Sequence, residues 1–590
     1  MGLSLLVGCV AGIVAMVFTF CLDGTTEFVG KYIFHHSPES FGGELELALM
    51  LSNMPLSHRW LIFFIPAIGG LLAGFLIFKY APSAEGHGTD AVIHAFHRER
   101  GRIPLAVPLV KLVASVLTIG TGGSAGREGP IALIGAGFAS FMSSKVKLSE
   151  RETRILVICG VAAGIGAIFR APLGGAIFAV SVLYSEAEFE YEALMPSFIS
   201  SIMAYSVFCT LHPQGWGAVF NIPEDIIFHN ARELPIYACV ALILAAVGPI
   251  YVKTFWKMRD NFFMKLPVPK YFIPAIGGLM LGVLCFFFPA ALGGGYEWLQ
   301  MTIDGAPEIS IRFLLMLALV KIIATSFTIS SGGSGGVFAP SLVIGGSLGG
   351  AAGLIAQHFF PNVVSHPGAY VLVGMAGFFT GVAKVPIAAL IMVSEMTLGY
   401  SLLVPLMLVC AVTYFLLGPG ITIYREQVGT RLDSPAHMGD FVIDILEQMK
   451  VEKIVNTSKE VVTIPANSSL QQVLNRTTET TQSCFPVVSE NDEMIGMISY
   501  ADIRPYLYEP DLGILVIAGE IAVPVVPLVL SDSLDVALRK IIEMEVDEMP
   551  VVSSEGETKI IALLSRRDII AAYHKEMLKH ARLHKIRKVT

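Results

Sequence analysis

Three stretches of this chain occur twice, in the same order and at nearly the same spacing. Phe64–Leu71 reads FIPAIGGL, and Phe272–Leu279 reads FIPAIGGL again. Lys111–Pro130 (KLVASVLTIGTGGSAGREGP) aligns without gaps on Lys321–Pro340 (KIIATSFTISSGGSGGVFAP), and Gly160–Pro172 (GVAAGIGAIFRAP) aligns on Gly374–Pro386 (GMAGFFTGVAKVP). The offsets are 208, 210 and 214 residues. Chance identity between apolar segments explains one such pair, not three in register. The chain therefore holds two homologous halves, roughly 1–225 and 226–435. The repeat by itself leaves open whether the halves run parallel or inverted.

The repeated part belongs in a bilayer. Only 15% of the 590 residues are charged and mean hydropathy is +0.67, against about 25% charge in soluble domains. Runs such as Trp60–Tyr80 and Leu234–Val252 are long enough to cross about 30 Å of hydrocarbon. Met1–Phe20 lacks a basic start and a small-residue cleavage site, so it reads as a first membrane helix. Many of the apolar segments are cut by Gly and Pro. In lipid an interrupted helix is tolerated only where its free backbone faces protein or a watery cavity, so paired interruptions in two halves point to a site near the midplane.

Several function classes find no support in these residues. The formal net charge of −8 gives no footprint for nucleic acid. The eight cysteines are scattered without a CxxC pair, as small core residues are. No HExxH or comparable metal cluster is present, and Gly30-Lys31 lacks the spacing of a phosphate loop. A membrane-anchored sensor or enzyme would need a nucleophile, metal cluster or cofactor motif. That reading remains the distant alternative.

An anion crossing a membrane needs positive potential that does not trap it. Backbone N–H groups at helix N-termini supply this, with Gly permitting close approach and Pro costing no needed donor in the first turn. Gly126-Arg127-Glu128-Gly129-Pro130 and Gly336-Val337-Phe338-Ala339-Pro340 have this form at equivalent places in the halves, and Gly86-His87-Gly88-Thr89-Asp90 is a third candidate turn. The competing role for these glycines is close helix packing. Within the first turn, Glu128 is an anion mimic. Two unit charges about 4 Å apart repel by about 4 kcal/mol at an effective dielectric of about 20, so carboxylate and anion compete for one site and protonation frees it.

With the GREGP of Gly126–Pro130 and the GxFxP of Gly336–Pro340 in view, the chain resembles the CLC family of chloride channels and chloride/proton exchangers over essentially all of residues 1–435. The resemblance implies an α-helical polytopic fold of two inverted halves, a homodimer, and an anion path through each subunit. It makes Glu128 the gating glutamate. It implies anion binding by Gly126, Arg127, Gly129, Gly336, Val337, Phe338 and His87, and by the hydroxyl of Tyr424 in Ile421–Tyr424.

Two positions depart from the family pattern. His87 stands where the family has a serine anion ligand; an imidazole donates hydrogen bonds and titrates near neutral pH, and the competing reading turns it to solvent beside Glu85 and Asp90. Ser181 and Val182 stand where many exchangers carry two acids on the inner side, and neither stores a proton. Glu186, Glu188, Glu190 and Glu192 follow; if the helix continues they lie one to two turns farther on, and such an acidic run is otherwise a solvated face.

From about residue 437 the sequence turns to soluble αβ character and repeats again. Phe485–Val488 (FPVV) pairs with Met549–Val552 (MPVV), and Ser499–Ile503 (SYADI) with Ser565–Ile569 (SRRDI). These segments resemble a CBS pair, an α+β module, with a linker and first module over 436–512 and the second module with a basic tail over 513–590. The resemblance implies an adenine nucleotide (ATP, ADP or AMP) as ligand, with Ser499, Asp502, Ser565 and Asp568 at the ribose. The basic tail, Lys575–Lys588, is expected in solvent, with contact to anionic lipid as the alternative. The whole reads as a multi-pass protein of the plasma or inner membrane with cytoplasmic CBS modules, requiring no cofactor. It would carry chloride passively or with weak proton coupling. A chloride/proton antiporter with a non-standard inner proton acceptor is the alternative.

Overall fold

The computed structural model describes residues 1–33, 56–437 and 446–587, apart from 214, 225, 365, 459 and 507–515. The chain divides into two compact units, Met1–Ala436 and His437–Thr590. The membrane unit is helical. Its first part comprises α1 (Gly2–Phe28), α2 (Ile65–Tyr80), α3 (Thr89–Arg98), α4 (Ala106–Gly120), α5 (Glu128–Val146), α6 (Glu150–Ile168), α7 (Pro172–Ser181) and α8 (Tyr191–Leu211). Its second part comprises α9 (Leu234–Lys257), α10 (Ile273–Phe287), α11 (Tyr296–Ile303), α12 (Ile311–Ser330), α13 (Phe338–Phe359), α14 (Pro367–Ala383), α15 (Pro386–Met396) and α16 (Leu403–Leu417). Among the described residues, seven helical stretches are long and apolar enough to span a membrane. Several helices, α2, α7, α10, α14 and α15 among them, begin with Pro in the first turn, where its missing N–H is not needed.

The two halves are tied by contacts that occur in equivalent pairs. Gly126 N donates to Gly336 O at 2.8 Å and Gly336 N to Gly126 O at 2.5 Å, as an antiparallel bridge between equivalent residues. Ser124 N donates to Thr328 Oγ1 at 3.1 Å, and its counterpart Ser334 N to Thr118 Oγ1 at 3.3 Å. Gly70 packs on the Pro274 carbonyl and Gly278 on the Pro66 carbonyl. Residues that exchange the same bonds are related by a two-fold axis. At this joint the two halves meet as equivalent partners, an arrangement that parallel and inverted repeats share.

Glycine sets the spacing within each half as well. In α5 and α6, Gly135 and Gly160 each face the other's carbonyl so closely that a Cβ would overlap it; Gly345 and Gly374 do the same between α13 and α14. Such contacts bring backbones together where lipid offers no hydrophobic drive. Of the seven spanning stretches, Phe338–Phe359 is the most enclosed, with 83% of its apolar window buried, so the second signature opens a helix inside the unit.

The second unit repeats a smaller motif. β1 (Ile464–Pro465), β2 (Cys484–Val488) and β3 (Met494–Ser499) form one sheet, and β4 (Leu528–Val529), β5 (Glu548–Val552) and β6 (Ile560–Ser565) form the other. In each sheet the middle strand pairs parallel with the first and antiparallel with the third, with an irregularity at Val487/Val488 and at Val551/Val552. The amphipathic helices α17 (Leu470–Thr478) and α18 (Leu534–Glu543) cover these sheets with Leu470, Val473, Leu534, Ala537 and Ile541. The boundary near 512/513 and the side chains of the basic tail beyond Glu576 lie outside the described residues.

Candidate functional site

The GREGP and GVFAP segments meet at the joint between the halves, and each runs straight into a long helix. Arg127 caps α5 at φ −86, ψ −8, and Val337 caps α13 at φ −100, ψ −4. The first N–H groups of these helices have no intrahelical acceptor and sit at the positive dipole ends. The Gly126–Gly336 bridge brings both ends together.

Glu128, the first residue of α5, is 1% exposed. Its Oε1 accepts a hydrogen bond from the Tyr296 hydroxyl at 2.8 Å. Its Oε2 lies against the joint: a Cβ at Gly126 would overlap it, and one at Gly336 would come within 2.8 Å. Only bare backbone accommodates a carboxylate folded back there.

The third turn closes on the other side. Gly129 backs onto the His87 carbonyl, which a Cβ would overlap, and Gly88, at φ 86, sits against the Gly129 carbonyl. His87 is buried, with Nε2 3.2 Å from Asp90 Oδ2, so the solvent-facing alternative does not hold. Its ring centroid is 5.4 Å from that of Tyr424 and 6.5 Å from that of Phe255. The Tyr424 side chain is buried. Phe338 is held by Phe169 and Phe379 at centroid distances of 4.5 and 4.2 Å. The contacts thus run from Tyr296 through Glu128, Gly126, Gly336 and Gly129 to His87 and Tyr424.

Tyr296 is the member that sequence reasoning missed. A fourth repeat carried the signal. Gly86–Thr89 (GHGT) corresponds to Gly293–Tyr296 (GGGY), 207 residues on, with Gly88 and Gly295 at φ 86 and 87. Lys111 donates to Gly86 O and Lys321 to Gly293 O, both at 2.6 Å. Aligning these short turns puts Tyr296 where Thr89 stands in the first half, at the start of a helix facing the joint.

Around Val182 the helix does not continue, so the condition that would place the four acids one to two turns along it is not met. α7 ends at Ser181, whose hydroxyl donates back to Ile177 O at 2.7 Å. Val182 is buried. The chain then reverses: Ser185 N donates to Val428 O at 2.9 Å and Glu190 N to Val180 O at 3.1 Å. Of the four acids only Glu190 is buried. It accepts from the Tyr184 hydroxyl and lies 3.7 Å from Arg431 Nε, while Glu188 accepts from Arg431 N and Glu192 pairs with Arg151.

In the second unit, Ser499 N and Oγ donate to Asp502 Oδ2 at 2.8 and 2.6 Å; Ser565 N and Oγ donate to Asp568 Oδ2 at 3.3 and 2.5 Å. Both Ser-x-x-Asp motifs are reciprocal N-terminal caps of helices. One carboxylate oxygen of each is thereby engaged.

Broken apolar helices in two-fold-related halves, with paired helix N-termini around a buried carboxylate, define a membrane transport protein for anions. The family described as voltage gated chloride channel matches residues 69–418, and the CBS domain family matches 451–509 and 518–575. The chain belongs to the CLC family, and CLC-type anion transport is its activity. Chloride channel protein CLC-f of Arabidopsis thaliana is 28% identical, over 85% of this chain and 69% of that protein. The H(+)/Cl(-) exchange transporter ClcA of Salmonella typhi is 29% identical, over 59% of this chain and 74% of that protein. Among solved structures, a CLC-type fluoride/proton antiporter shares 26% identity at a TM-score of 0.60, covering 72% of this chain and 97% of that one. A eukaryotic CLC transporter, 18% identical, matches in fold over 96% of this chain and 97% of that one at a TM-score of 0.56.

Proposed function

We propose that the chain is a passive or loosely proton-coupled chloride pathway, gated by Glu128 and modulated by its CBS pair. The observation that carries this reading is the place of the Glu128 carboxylate. It rests against the glycines that join two helix N-termini, where a desolvated anion would find its donors. Carboxylate and chloride exclude one another there, so flux requires Glu128 to leave or to be protonated. Gly126, Arg127, Gly129, Gly336, Val337 and Phe338 line this stretch. His87 and Tyr424 border its other end.

The lean toward weak coupling rests on Val182. Tight exchange needs a proton-storing group on each side of the anion site. Valine stores none, and the Ser181 hydroxyl is engaged by its own helix. Glu190, the buried member of the acidic run, is engaged by the Tyr184 hydroxyl and lies 3.7 Å from Arg431 Nε. The second reading, chloride/proton antiport, is supported by the names of the exchange transporters and antiporters among the similar proteins.

The test is a chloride gradient across proteoliposomes with the voltage clamped by valinomycin and potassium. Chloride should move without sustained uphill proton movement. Proton pumping at a fixed chloride-to-proton ratio would establish the antiport reading instead. A homodimer, cytoplasmic CBS modules, and an adenine nucleotide at Ser499, Asp502, Ser565 and Asp568 complete the proposal.

A further inference from the structure

We propose that His87 is a proton-dependent anion ligand at the Tyr424 end of the pathway, so that an anion and one proton bind there together. The inference rests on the pathway reading above and concerns a side chain this chain carries where the family pattern has serine. Three observations point to it.

The His87 side chain is 5% exposed, inside the turn that Gly129 abuts. Its Nε2 lies 3.2 Å from Asp90 Oδ2. A carboxylate accepts only from an N–H, so in the neutral ring Nε2 carries the hydrogen and Nδ1 is left with a lone pair. Finally, Nδ1 is buried and has no hydrogen-bond partner among the described residues. A buried acceptor without a donor is costly, and in an anion pathway it is unfavourable to the anion as well. Protonation at Nδ1 reverses both effects. The nitrogen becomes a charge-assisted donor, and an anion becomes its acceptor. The proton comes from solution and returns there when the anion leaves; no bond to carbon is made or broken.

The charged and titratable groups around the turn are compatible with this exchange. Asp90 contacts the imidazole and is itself fixed by the N–H groups of Arg425 and Glu426, each at 3.3 Å. Tyr424 faces the ring from the segment after α16. Lys111 of α4 is engaged by the carbonyls of Ala84 and Gly86 at 3.1 and 2.6 Å. Arg259, following α9, is paired with Glu85 at 2.8 Å, and the Arg425 side chain is paired with Asp260 at 2.5 Å. Glu128 lies beyond Gly129, at the start of α5. The nearby cations thus have anionic or carbonyl partners of their own, and the carboxylate of Asp90 is the one in contact with His87.

The experiment is calorimetric titration of chloride into the full-length Glu128→Gln protein in detergent, at about pH 5.5 and about pH 8, since imidazole titrates between them. It is run in two buffers of different ionisation enthalpy. Chloride should bind about tenfold more tightly or better at the lower pH, since a desolvated charged donor outweighs a neutral one by more than about 1.4 kcal/mol. Near the midpoint, binding should take up about half a proton or more, read from the buffer dependence of the heat. In the same background, His87→Asn should give one affinity at both pH values and a buffer-independent heat. Asp90→Asn keeps the imidazole but removes the carboxylate that favours its charge, so the pH profile should move to lower pH. An affinity independent of pH in the Glu128→Gln parent would overturn the inference, and so would pH dependence that persists in His87→Asn. Chloride binding that Tyr424→Ala leaves unaltered would instead overturn the pathway reading. Absence of chloride binding at both pH values would overturn the two together.

Discussion

At the scale of single residues, the site is an arrangement of what glycine leaves open and what one carboxylate fills. Replacing Glu128 by Gln keeps the shape and removes the charge. Chloride flux from liposomes should then persist and lose much of its pH dependence between about pH 4.5 and 7.5, keeping only the part that His87 contributes, because the principal titrating anion mimic is gone. Unchanged flux with an unchanged pH profile would contradict its gating role. Tyr296 sharpens the point. Its hydroxyl holds Glu128 in the folded-back position at 2.8 Å, and a hydrogen bond to a charged group is worth about 1.5–3 kcal/mol. Tyr296→Phe should let the carboxylate leave more readily and raise flux at neutral pH by about tenfold or more. Glu128 was legible in the sequence because GREGP is contiguous. Tyr296 was not, since its only mark is a four-residue turn with Gly in common and 168 residues of chain separate it from its partner.

Among elements, the reciprocal contacts make a quantitative demand. Thr118 Oγ1 accepts from Ser334 N, and Thr328 Oγ1 from Ser124 N, in equivalent surroundings. Thr118→Val and Thr328→Val each leave a buried N–H without its acceptor and should each destabilise the protein by about 1–3 kcal/mol. The two costs should agree more closely with each other than with any other Thr→Val change in the membrane unit. Thermal inactivation of detergent-solubilised protein measures both, and a large change in one with none in the other would contradict a functional two-fold joint. The end of α7 shows the opposite case. Nothing in Ser181–Glu192 marks the helix stop by Pro or Gly, so a continuing helix was the natural expectation. The stop is imposed by Val428 and Gly429, whose carbonyls take the N–H groups of Ser185 and Glu186.

For the whole molecule, the membrane part and the CBS pair are separate compact units, the chain dividing after Ala436. The anion path lies in the first, so a chain ending at Asp433 should still assemble and carry chloride, at an altered rate. Folded, dimeric truncated protein with no flux would show that the second unit is part of the pathway. The caps at Ser499 and Ser565 also bear on regulation. Because Asp502 and Asp568 already start helices, nucleotide at these carboxylates would use the oxygen left over, and regulation would act through helix termini that exist without it.

The sequence by itself determined the two halves, the apolar helices, the glycine turns with Glu128 among them, and the αβ repeat that follows. Those follow from local chemistry: apolar length, Pro and Gly punctuation, and period. What only the tertiary structure decided was how equivalent parts meet. The bridge from Gly126 to Gly336 paired equivalent residues of the two halves. The fold buried His87 against Asp90, turned Tyr296 onto Glu128 and tied Glu190 to Arg431. Each of these is a contact between residues distant in the chain. It is fixed by backbones that approach closely only where a Cβ is missing, and a linear pattern carries no record of which backbone lies opposite.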